Sequence, residues 1–419
     1  MLGLSIRQHG LGVLSSGHSN LLDSPGRNEM RRILFWDHYD AGMGGIEKMI
    51  ITLASDLAES HEIVVIARKD GTICEALRGV KAKFIRVDPD TARSTRDISC
   101  DDLLIEFGTF RDLQALSVVN PRLLLWRVFP SIGCRGLLAS LLCRRMFITL
   151  EKLNSLVFMD KVCHQTACRE LKRLFAERLL PIPILVREKR RVAEKPSNPI
   201  SITYIGRGRL WKVKPVKKLA GDLRSLTDHN FHLHIFTDAN ELFEAELREV
   251  KGGNVAIYYH YGYAMESLSQ KLLELSDLHY SMGTACLEGA VLGIPTIIAD
   301  ASYKDFPVEY GYRWLIDDIE NYAGVFLEKT TPPRGHALRE VVNTLHNPQE
   351  LRRISETTYA ETVARFGSRN IAQAIEKLQP QARVTDLLKF MPSYWRSGRP
   401  FVALCKRMSG AVAYLSTCL

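Results

Sequence analysis

The residues best placed to do chemistry lie between Ser276 and Asp300, in the stretch SDLHYSMGTACLEGAVLGIPTIIAD. Its pattern predicts a strand, a turn at Gly283 and Thr284, a short helix and a second strand. A helix N-terminus at a sheet edge favours anions, because its N–H groups are free and its dipole is positive there. Glu288, one turn into this helix, would repel phosphate but could accept hydrogen bonds from a sugar diol. Phosphate and diol together point to a nucleotide or a nucleotide-sugar. The alternative is an ordinary crossover with a solvated glutamate.

Basic side chains follow the segment SITYIGRG, which opens the second half of the chain; they are Arg207, Arg209, Lys212 and Lys214. An arginine offers phosphate oxygens a planar fork, and a lysine offers a mobile point charge. Beside a helix start at Gly283 and Thr284, such a pair would hold a diphosphate from two sides. The alternative is a basic surface loop, which is common in a basic protein.

A glycine-rich loop, Gly42 to Gly45, separates the first predicted strand from the first predicted helix. Glycine lets a backbone approach a ligand closely; the alternative is a plain tight turn. His232 and His234 alternate along one predicted strand, where we expect core or edge histidines rather than metal ligands. The nine cysteines are scattered without a C-x-x-C pair, so a zinc site is poorly supported and we expect free thiols in a reducing cytosol.

The elements that position these residues alternate between strand and helix in two successive series, which predicts an α/β fold with two domains. In the first series RILFWDHY, HEIVVIAR, DLLIEFGTF, RLLLWRVF and SLVFMDK read as strands, and IEKMIITLASDLAES reads as a helix. In the second, FHLHIFTD and NVAIYYHYG read as strands, PVKKLAGDLRSL (215–226) reads as a helix, and residues 354–378 read as helical with a kink near Gly367. We predict a mobile leader (1–30), a first domain (31–186), a charged linker (187–199), a second domain (200–365) and a C-terminal helix with a basic tail (366–419). Two such domains would place a ligand in the cleft between them, at the carboxyl ends of the strands.

Composition agrees with a globular chain: of 419 residues, 46% are hydrophobic and 25% are charged. No apolar run approaches the ~18–20 residues of a membrane span, and no secretory signal is recognisable. The formal net charge of +9 favours anionic partners such as phosphate donors, anionic lipid or nucleic acid, without choosing among them.

Three segments, in order, resemble the retaining GT-B glycosyltransferases of the E-x7-E type, a group that includes bacterial sugar transferases of polysaccharide and glycolipid assembly. GMGGIEKM (42–49) resembles the group's G-G-x-E loop and helix, and IGRGRLWK (205–212) resembles its G-R-x4-K phosphate motif. SMGTACLEGAVLGIPTI (281–297) resembles the segment around the second glutamate of E-x7-E. The resemblance extends from Arg31 to Leu378 and implies two Rossmann-like doubly wound domains that face a central cleft, with the acceptor on the side of the first domain and the nucleotide-sugar on the second.

The resemblance also implies roles for particular residues. Arg207 and Lys212 would bind the donor diphosphate and carry the catalytic charge stabilisation, and Glu288 would bind the ribose diol. The remaining donor-binding positions would be Gly44, Gly45, Gly262, Tyr263, Gly283 and Thr284, with the base held by backbone near Gly262. A hexosyl or deoxyhexosyl group would pass from a nucleotide-diphosphate-sugar to a hydroxyl of a saccharide or lipid-linked acceptor. No metal or other cofactor is expected, and no nucleic acid partner.

Two departures from the group's pattern keep other functions open. Tyr280 stands where the first glutamate of E-x7-E, which contacts the transferred sugar, is expected, and a phenol cannot replace its charge. The histidine that many members carry after a late strand of the first domain is absent from RLLLWRVFPS, where Arg127 and Glu106 are only speculative substitutes. The alternatives are a non-catalytic GT-B binding or assembly protein and a nucleotide-sugar epimerase.

The C-terminal tail, Arg383 to Leu419, carries six basic residues against the single acid Asp386, with aromatic residues interleaved. Aromatic and basic side chains suit the headgroup layer of a membrane. We therefore expect a cytoplasmic protein in peripheral contact with the inner face of an anionic membrane, where a lipid-linked acceptor would lie. The alternative is a tail that packs back across the first domain.

Overall fold

The computed structural model describes residues 32–37, 44–67, 72–80, 82–86, 98–108, 113–128, 137–186, 196–239, 241–262, 265–328 and 331–390. The predicted leader (1–30) lies outside this part of the chain. Most of the predicted linker and residues 391–419 of the predicted tail lie outside it as well.

Six parallel strands form the first sheet, in the order β3-β2-β1-β4-β5-β6. Parallel strands covered by helices on both faces are apolar throughout, and this is why they read as uninterrupted apolar runs in the sequence. The strands are β1 (Arg32–Asp37), β2 (Glu62–Ala67), β3 (Ala82–Arg86), β4 (Leu103–Glu106), β5 (Arg122–Arg127) and β6 (Leu156–Phe158).

The helices of the first domain include the predicted one and others that the sequence patterns missed. They are α1 (Gly45–Leu57), α2 (Thr72–Ala76), α3 (Leu137–Lys152) and α4 (Lys161–Glu170), with a short 3₁₀ helix at Leu113–Ser117. α1 follows the predicted periodicity and buries Met49, Ile50, Leu53 and Leu57.

A second six-stranded sheet has the order β12-β11-β10-β7-β8-β9, with only β12 antiparallel. Its strands are β7 (Ile200–Ile205), β8 (Phe231–Phe236), β9 (Val255–His260), β10 (Leu278–Ser281), β11 (Thr296–Ile298) and β12 (Arg313–Trp314). Its helices are α5 (Leu210–Ser225), α6 (Glu241–Leu247), α7 (Met265–Leu275), α8 (Thr284–Ala290) and α9 (Leu338–Leu345).

α5 begins at Leu210, earlier than the prediction, which started it at Pro215. Proline inside a helix leaves the carbonyl one turn before it without its usual donor. Here that carbonyl belongs to Trp211, and it accepts a hydrogen bond from the backbone N–H of Ser302 at 3.3 Å. The helix therefore continues through Pro215, and its first turn lies close to the end of β7.

The chain ends by returning to the first domain through α10 (Pro348–Phe366), α11 (Ser368–Lys377) and α12 (Val384–Leu388). Gly367 separates α10 from α11, as the predicted kink indicated. α11 packs on α1 and α12 packs on α3. The carbonyl of Ala382 accepts a hydrogen bond from the N–H of Leu123 in β5 at 2.8 Å. The described start of the tail therefore packs on the first domain, as the alternative proposed.

The strand order reverses once in each sheet, between β1 and β4 in the first and between β7 and β10 in the second. In open α/β sheets such a switch point leaves a crevice at the carboxyl ends of the strands, where ligands bind. The predicted α/β class with two domains is confirmed. The two domains also pack together: Leu272 of α7 and Leu287 of α8 belong to the same buried apolar cluster as Leu53 of α1.

The expectation of free thiols holds for five described cysteines, Cys74, Cys100, Cys163, Cys168 and Cys286. It is wrong for Cys143 in α3, which is disulfide-bonded. Residue spacing could not reveal this, because a disulfide depends on which segments the fold brings within a few ångströms.

Candidate nucleotide-sugar site

The glycine loop of the first domain meets the second domain at the start of α1. A Cβ placed on Gly44 would lie 2.5 Å from Nη2 of Arg207, and one on Gly45 would lie 3.7 Å from Oγ1 of Thr284. Glycine at position 44 therefore leaves room beside the backbone for the guanidinium of Arg207 and for the carboxylate of Glu47, which would lie equally close to that Cβ. Gly42 and Met43 lie outside the described residues.

Arg207 and Lys212 follow β7 at the switch point of the second sheet. Lys212 lies in the first turn of α5, where the helix dipole disfavours a positive charge. Its Nζ lies 5.0 Å from the ring centroid of Trp211. Burial, reinforced by the charges of Arg207 and Lys48 and opposed by Asp238, lowers the pKa of Lys212 to about 8. The contact with the Trp211 ring is attractive. The helix dipole, the burial and the two neighbouring cations disfavour the charge in the empty protein, and a bound anion would offset them.

The two other basic residues singled out in this segment do not join the site. Arg209 is the N-cap residue of α5 and is exposed. Nζ of Lys214 lies 2.9 Å from a carboxylate oxygen of Glu246 and 2.9 Å from one of Asp305. Lys214 is therefore part of an ion-pair network of the second domain.

Gly283, Thr284 and Glu288 lie after β10, on the other side of the same switch point. Gly283 has a φ of 65°, a conformation that favours glycine, and precedes the first residue of α8. Glu288 lies one turn further along, and its Oε1 accepts a hydrogen bond from Nζ of Lys48 in α1. This ion pair joins the two domains.

Lys48 is the site residue that sequence reasoning missed. It follows Glu47 in the quoted segment GMGGIEKM, and its N–H donates to the carbonyl of Gly44 at 3.0 Å. A basic residue one helical turn after a glycine loop was the available signal, since residues at this spacing lie on one face of a helix. A crevice of about 20 Å³ beside the ion pair is lined by Lys48, Thr52, Pro183, Ile184, Leu185, Ser269, Thr284, Glu288 and Val291.

The predicted base-binding position is described only in part. Gly262 follows β9, is exposed and has a φ of 67°. Tyr263 lies outside the described residues.

Two histidines of the neighbouring strands β8 and β9 contact each other: Nδ1 of His234 and Nε2 of His260 are 3.0 Å apart. Burial, together with the charges of His260 and His232, lowers the pKa of His234 to about 4, so this ring is neutral at pH 7.

Tyr280, at the position expected for the first glutamate of E-x7-E, is not a cleft residue. It lies inside β10, is fully buried, and its ring centroid lies 6.2 Å from that of Tyr204 and 6.0 Å from that of Tyr312. Burial raises the pKa of its phenol well above the usual range. Because side chains alternate across a strand, position 280 faces the apolar core of the second domain and offers a ligand nothing.

The proposed substitutes for the missing histidine, Glu106 and Arg127, lie at the carboxyl ends of β4 and β5 and are both buried. Burial lowers the pKa of Arg127, while nearby Cys163 and Glu106 act in the opposite direction. At the end of the neighbouring strand, Asp160 caps α4 by accepting a hydrogen bond from the N–H of Cys163 at 2.7 Å. Burial raises the pKa of Asp160 to about 6. Charged groups thus line the carboxyl edge of the first sheet as well.

Among the described residues, no group of three or more histidine, cysteine, aspartate or glutamate side chains is arranged to hold a metal ion. In the same part of the chain, no helix is both long enough and apolar enough to cross a membrane.

No protein-family model matches this chain, and neither does any curated protein. Solved structures do match. A glycosyltransferase from Rickettsia africae ESF-5 superposes with a TM-score of 0.58 at 15% identity, covering 86% of this chain and 99% of that one. The fold is GT-B.

Two further structures of this fold were solved with nucleotide bound. Anabaena Alr3699/HepE in complex with UDP matches with a TM-score of 0.53 at 14% identity, covering 82% of this chain and 98% of that one. A mutant of S. aureus TarM in complex with fondaparinux, alpha-GlcNAc-glycerol and UDP matches with a TM-score of 0.55 at 10% identity, covering 83% of this chain and 99% of that one. At these identities the likeness establishes the GT-B architecture that the sequence predicted.

Proposed function

We propose that the protein is a glycosyltransferase that moves a sugar from a nucleotide-diphosphate-sugar to a hydroxyl group of a saccharide or lipid-linked acceptor. The observation that carries this proposal is the convergence of Lys48, Arg207 and Lys212 on Gly44 and Glu288, where the two domains meet. The second-domain residues of this set flank the switch point between β7 and β10, the usual ligand position in such a sheet.

The proposed chemistry divides between two kinds of group. Arg207 and Lys212 stabilise the negative charge that develops on the leaving diphosphate as its bond to the anomeric carbon breaks. Glu288 accepts hydrogen bonds from the two ribose hydroxyls and fixes the nucleotide. The acceptor oxygen forms the new bond on the same face of the sugar, so the configuration is retained, and its proton leaves with the diphosphate. With lysine and arginine supplying the positive charge, the reaction requires no metal ion.

The transferred sugar and the acceptor would lie against the first domain, near the carboxyl ends of β4 and β5. Buried Glu106 and Arg127, with Asp160 at the next strand end, provide polar groups there that suit hydroxyl-rich ligands. This arrangement supports a role for the first domain in recognising sugar. Saccharide acceptors and lipid-linked acceptors would both present hydroxyl groups to these polar side chains.

A non-catalytic binding protein of the same fold is the second candidate. The burial of Tyr280 favours it, because that position supplies no carboxylate to the transferred sugar. Incubating the purified protein with UDP-glucose and other nucleotide-sugars distinguishes a transferase from a binding protein. A transferase releases nucleoside diphosphate by slow donor hydrolysis or by transfer to an added acceptor, and a binding protein releases none.

The binding site itself is tested by Arg207→Ala and Lys212→Ala, with Lys214→Ala as the control from the same helix. Each of the first two variants should weaken nucleoside-diphosphate binding by about 1–3 kcal/mol, the range for losing a charge-assisted contact. Nucleoside binding should change little. Lys214→Ala should leave both unchanged, because Lys214 pairs with Glu246 and Asp305. Calorimetry that finds the parent's affinity in both Arg207→Ala and Lys212→Ala would falsify the phosphate assignment.

We further propose that the protein works in the cytoplasm, on the inner face of the membrane, with its acceptor carried on a lipid. The basic and aromatic residues of segment 391–419 support this proposal. Arg383 and Lys389 do not contribute to it. Arg383 donates to the carbonyl of Asn120 at 3.2 Å, and Lys389 pairs with Asp386 at 2.8 Å.

A further inference from the structure

The ion pair between Lys48 and Glu288 joins the two halves of the proposed donor site. Lys48 extends from α1 of the first domain and Glu288 from α8 of the second. Their side chains are only 19% and 13% exposed. Another ion pair between the domains, Lys161 with Glu320, is 37% and 45% exposed. The Lys48–Glu288 pair is thus the more enclosed of the two and lies within the proposed site.

With this ion pair formed, the crevice that the described residues form beside Glu288 is too small for a nucleotide. The crevice measures about 20 Å³, room for about one water molecule. Small-ligand sites usually measure roughly 300 Å³ or more. The diol-binding carboxylate is also already occupied by Lys48. A nucleotide that uses Glu288 must therefore displace or share the ammonium group.

A nucleoside diphosphate carries a matching replacement for each partner of the ion pair. Its ribose diol donates hydrogen bonds and suits a carboxylate, while its diphosphate accepts them and suits an ammonium group. We propose that Lys48 and Glu288 form a latch between the domains that a nucleoside diphosphate opens by exchange, the diol taking Glu288 and the diphosphate taking Lys48. This inference rests on the proposed function and adds a residue and a selection step to it.

Once Lys48 is released from Glu288, it is close enough to Arg207 and Lys212 to bind the same diphosphate. Its backbone N–H bonds to Gly44, the residue whose Cα Arg207 approaches. Its charge is also one of those that lower the pKa of Lys212. Lys48 therefore becomes the third cation of the diphosphate site, supplied by the first domain.

The exchange makes the site selective for an intact nucleoside diphosphate. A nucleoside alone satisfies Glu288 and leaves the enclosed Lys48 without its partner, and inorganic diphosphate alone leaves Glu288 without one. Removing one partner of a buried pair is costly, because the remaining charge is desolvated and uncompensated. The nucleoside and inorganic diphosphate should consequently each bind much more weakly than the intact nucleoside diphosphate. Each of them must break the Lys48–Glu288 ion pair but replaces only one of its partners.

The test first finds which of UDP, ADP, GDP and TDP the parent binds. It then measures by calorimetry, on the full chain, the affinities of that nucleoside diphosphate, of its nucleoside (uridine in the case of UDP) and of inorganic diphosphate. In Lys48→Gln, uridine should bind about tenfold tighter because Glu288 is released, and diphosphate about tenfold weaker because a cation is lost. In Glu288→Gln the signs reverse: diphosphate tightens and uridine weakens. Lys161→Gln, which removes the more exposed interdomain pair Lys161–Glu320, should match the parent for all three ligands.

The opposite signs in the two variants are the signature of the latch. If both variants leave the fragments unchanged, or weaken both fragments alike, the pair is a structural contact and the latch is refuted. Should Lys48→Gln fail to fold, the increase in diphosphate affinity in Glu288→Gln decides alone. Failure of the proposed function looks different: the parent then binds none of UDP, ADP, GDP and TDP. If Arg207→Ala weakens UDP binding while Lys48→Gln and Glu288→Gln shift neither fragment, only the latch is wrong.

Discussion

Lys212 gives the site a pH dependence that an ordinary lysine would not. Its enclosure in the first turn of α5, with Arg207 and Lys48 nearby, lowers its pKa to about 8. A diphosphate bound beside it favours the charged form and raises that pKa again. Binding above pH 8 must therefore take up a proton, and the affinity for nucleoside diphosphate should fall as the pH rises.

The size of the effect follows from the fraction of empty protein in which Lys212 is charged. At pH 7 this group is almost fully protonated. At pH 9, one unit above its pKa, about one molecule in eleven retains the proton, so the affinity should drop about tenfold, or roughly 1.4 kcal/mol. A lysine with the usual pKa of about 10.4 would show almost no change over this range.

Calorimetry between pH 7 and 9 measures both the affinity and the proton uptake, the latter from buffers of different ionisation enthalpy. Lys212→Arg is the matched control, because guanidinium stays charged throughout and should give a flat profile. Equal slopes in the parent and in Lys212→Arg would show that Lys212 does not titrate on binding and would refute the reasoning.

The same shift affects stability in the empty protein. The folded-state pKa of about 8 lies below the unfolded value, so the cost of burying the charge is fully present below pH 8. It is relieved as the pH rises from about 8 towards 10.5, because the unfolded chain binds more protons in that window. Ligand affinity and the stability of the empty protein should thus change in opposite directions over this window.

Two further predictions concern Glu288 and the tail. Glu288→Gln should reduce the preference for a ribonucleotide over its 2′-deoxy analogue, because an amide offers only one acceptor oxygen; a parent without any such preference would show that Glu288 does not bind the diol. Deleting 391–419 should leave the thermal unfolding temperature unchanged and reduce sedimentation with anionic vesicles, whereas deleting 384–419 should destabilise the fold by removing buried Val384 and Leu387. Unchanged vesicle binding by the shorter deletion would rule out the tail as the membrane contact.

Much of the fold could be predicted because parallel strands buried on both faces are apolar throughout. RILFWD, RLLLWR and the strand in SDLHYS could each be recognised in this way. α3 could not, because LLASLLCRRMFITLEK has apolar residues around most of the helix and arginines within it, which obscures the 3.6-residue period. The start of α5 was predicted too late because Pro215 reads as a helix beginning, and only the contact between Trp211 and Ser302 explains its place inside the helix.

The site could be predicted only as far as local motifs reach. Arg207, Thr284 and Glu288 each follow a strand of the second sheet, so a pattern of strand, turn and helix locates them near one another. The partner of Glu288 is 240 residues away along the chain, in the other domain, and no local pattern connects the two. The burial of Tyr280 could not be predicted, because one position in a strand decides which face a side chain occupies and a residue count does not supply that register.

Comparing the lysines of α5 shows how a lysine that could bind a ligand differs from other basic residues of the protein. Nζ of Lys218 lies 2.7 Å from Oδ1 of Asp222. Lys214 contacts two carboxylates, and although burial acts to lower its pKa, the hydrogen bonds with Asp305 and Glu246 raise it. Lys212, on the same helix, makes no ion pair among the described residues and lies near two other cations, so its pKa moves in the opposite direction. Lys214 and Lys218 are therefore neutralised by carboxylates of their own domain. Lys212 is the exception. It faces the contact between the domains, where the negative charge of a bound ligand would compensate its positive charge.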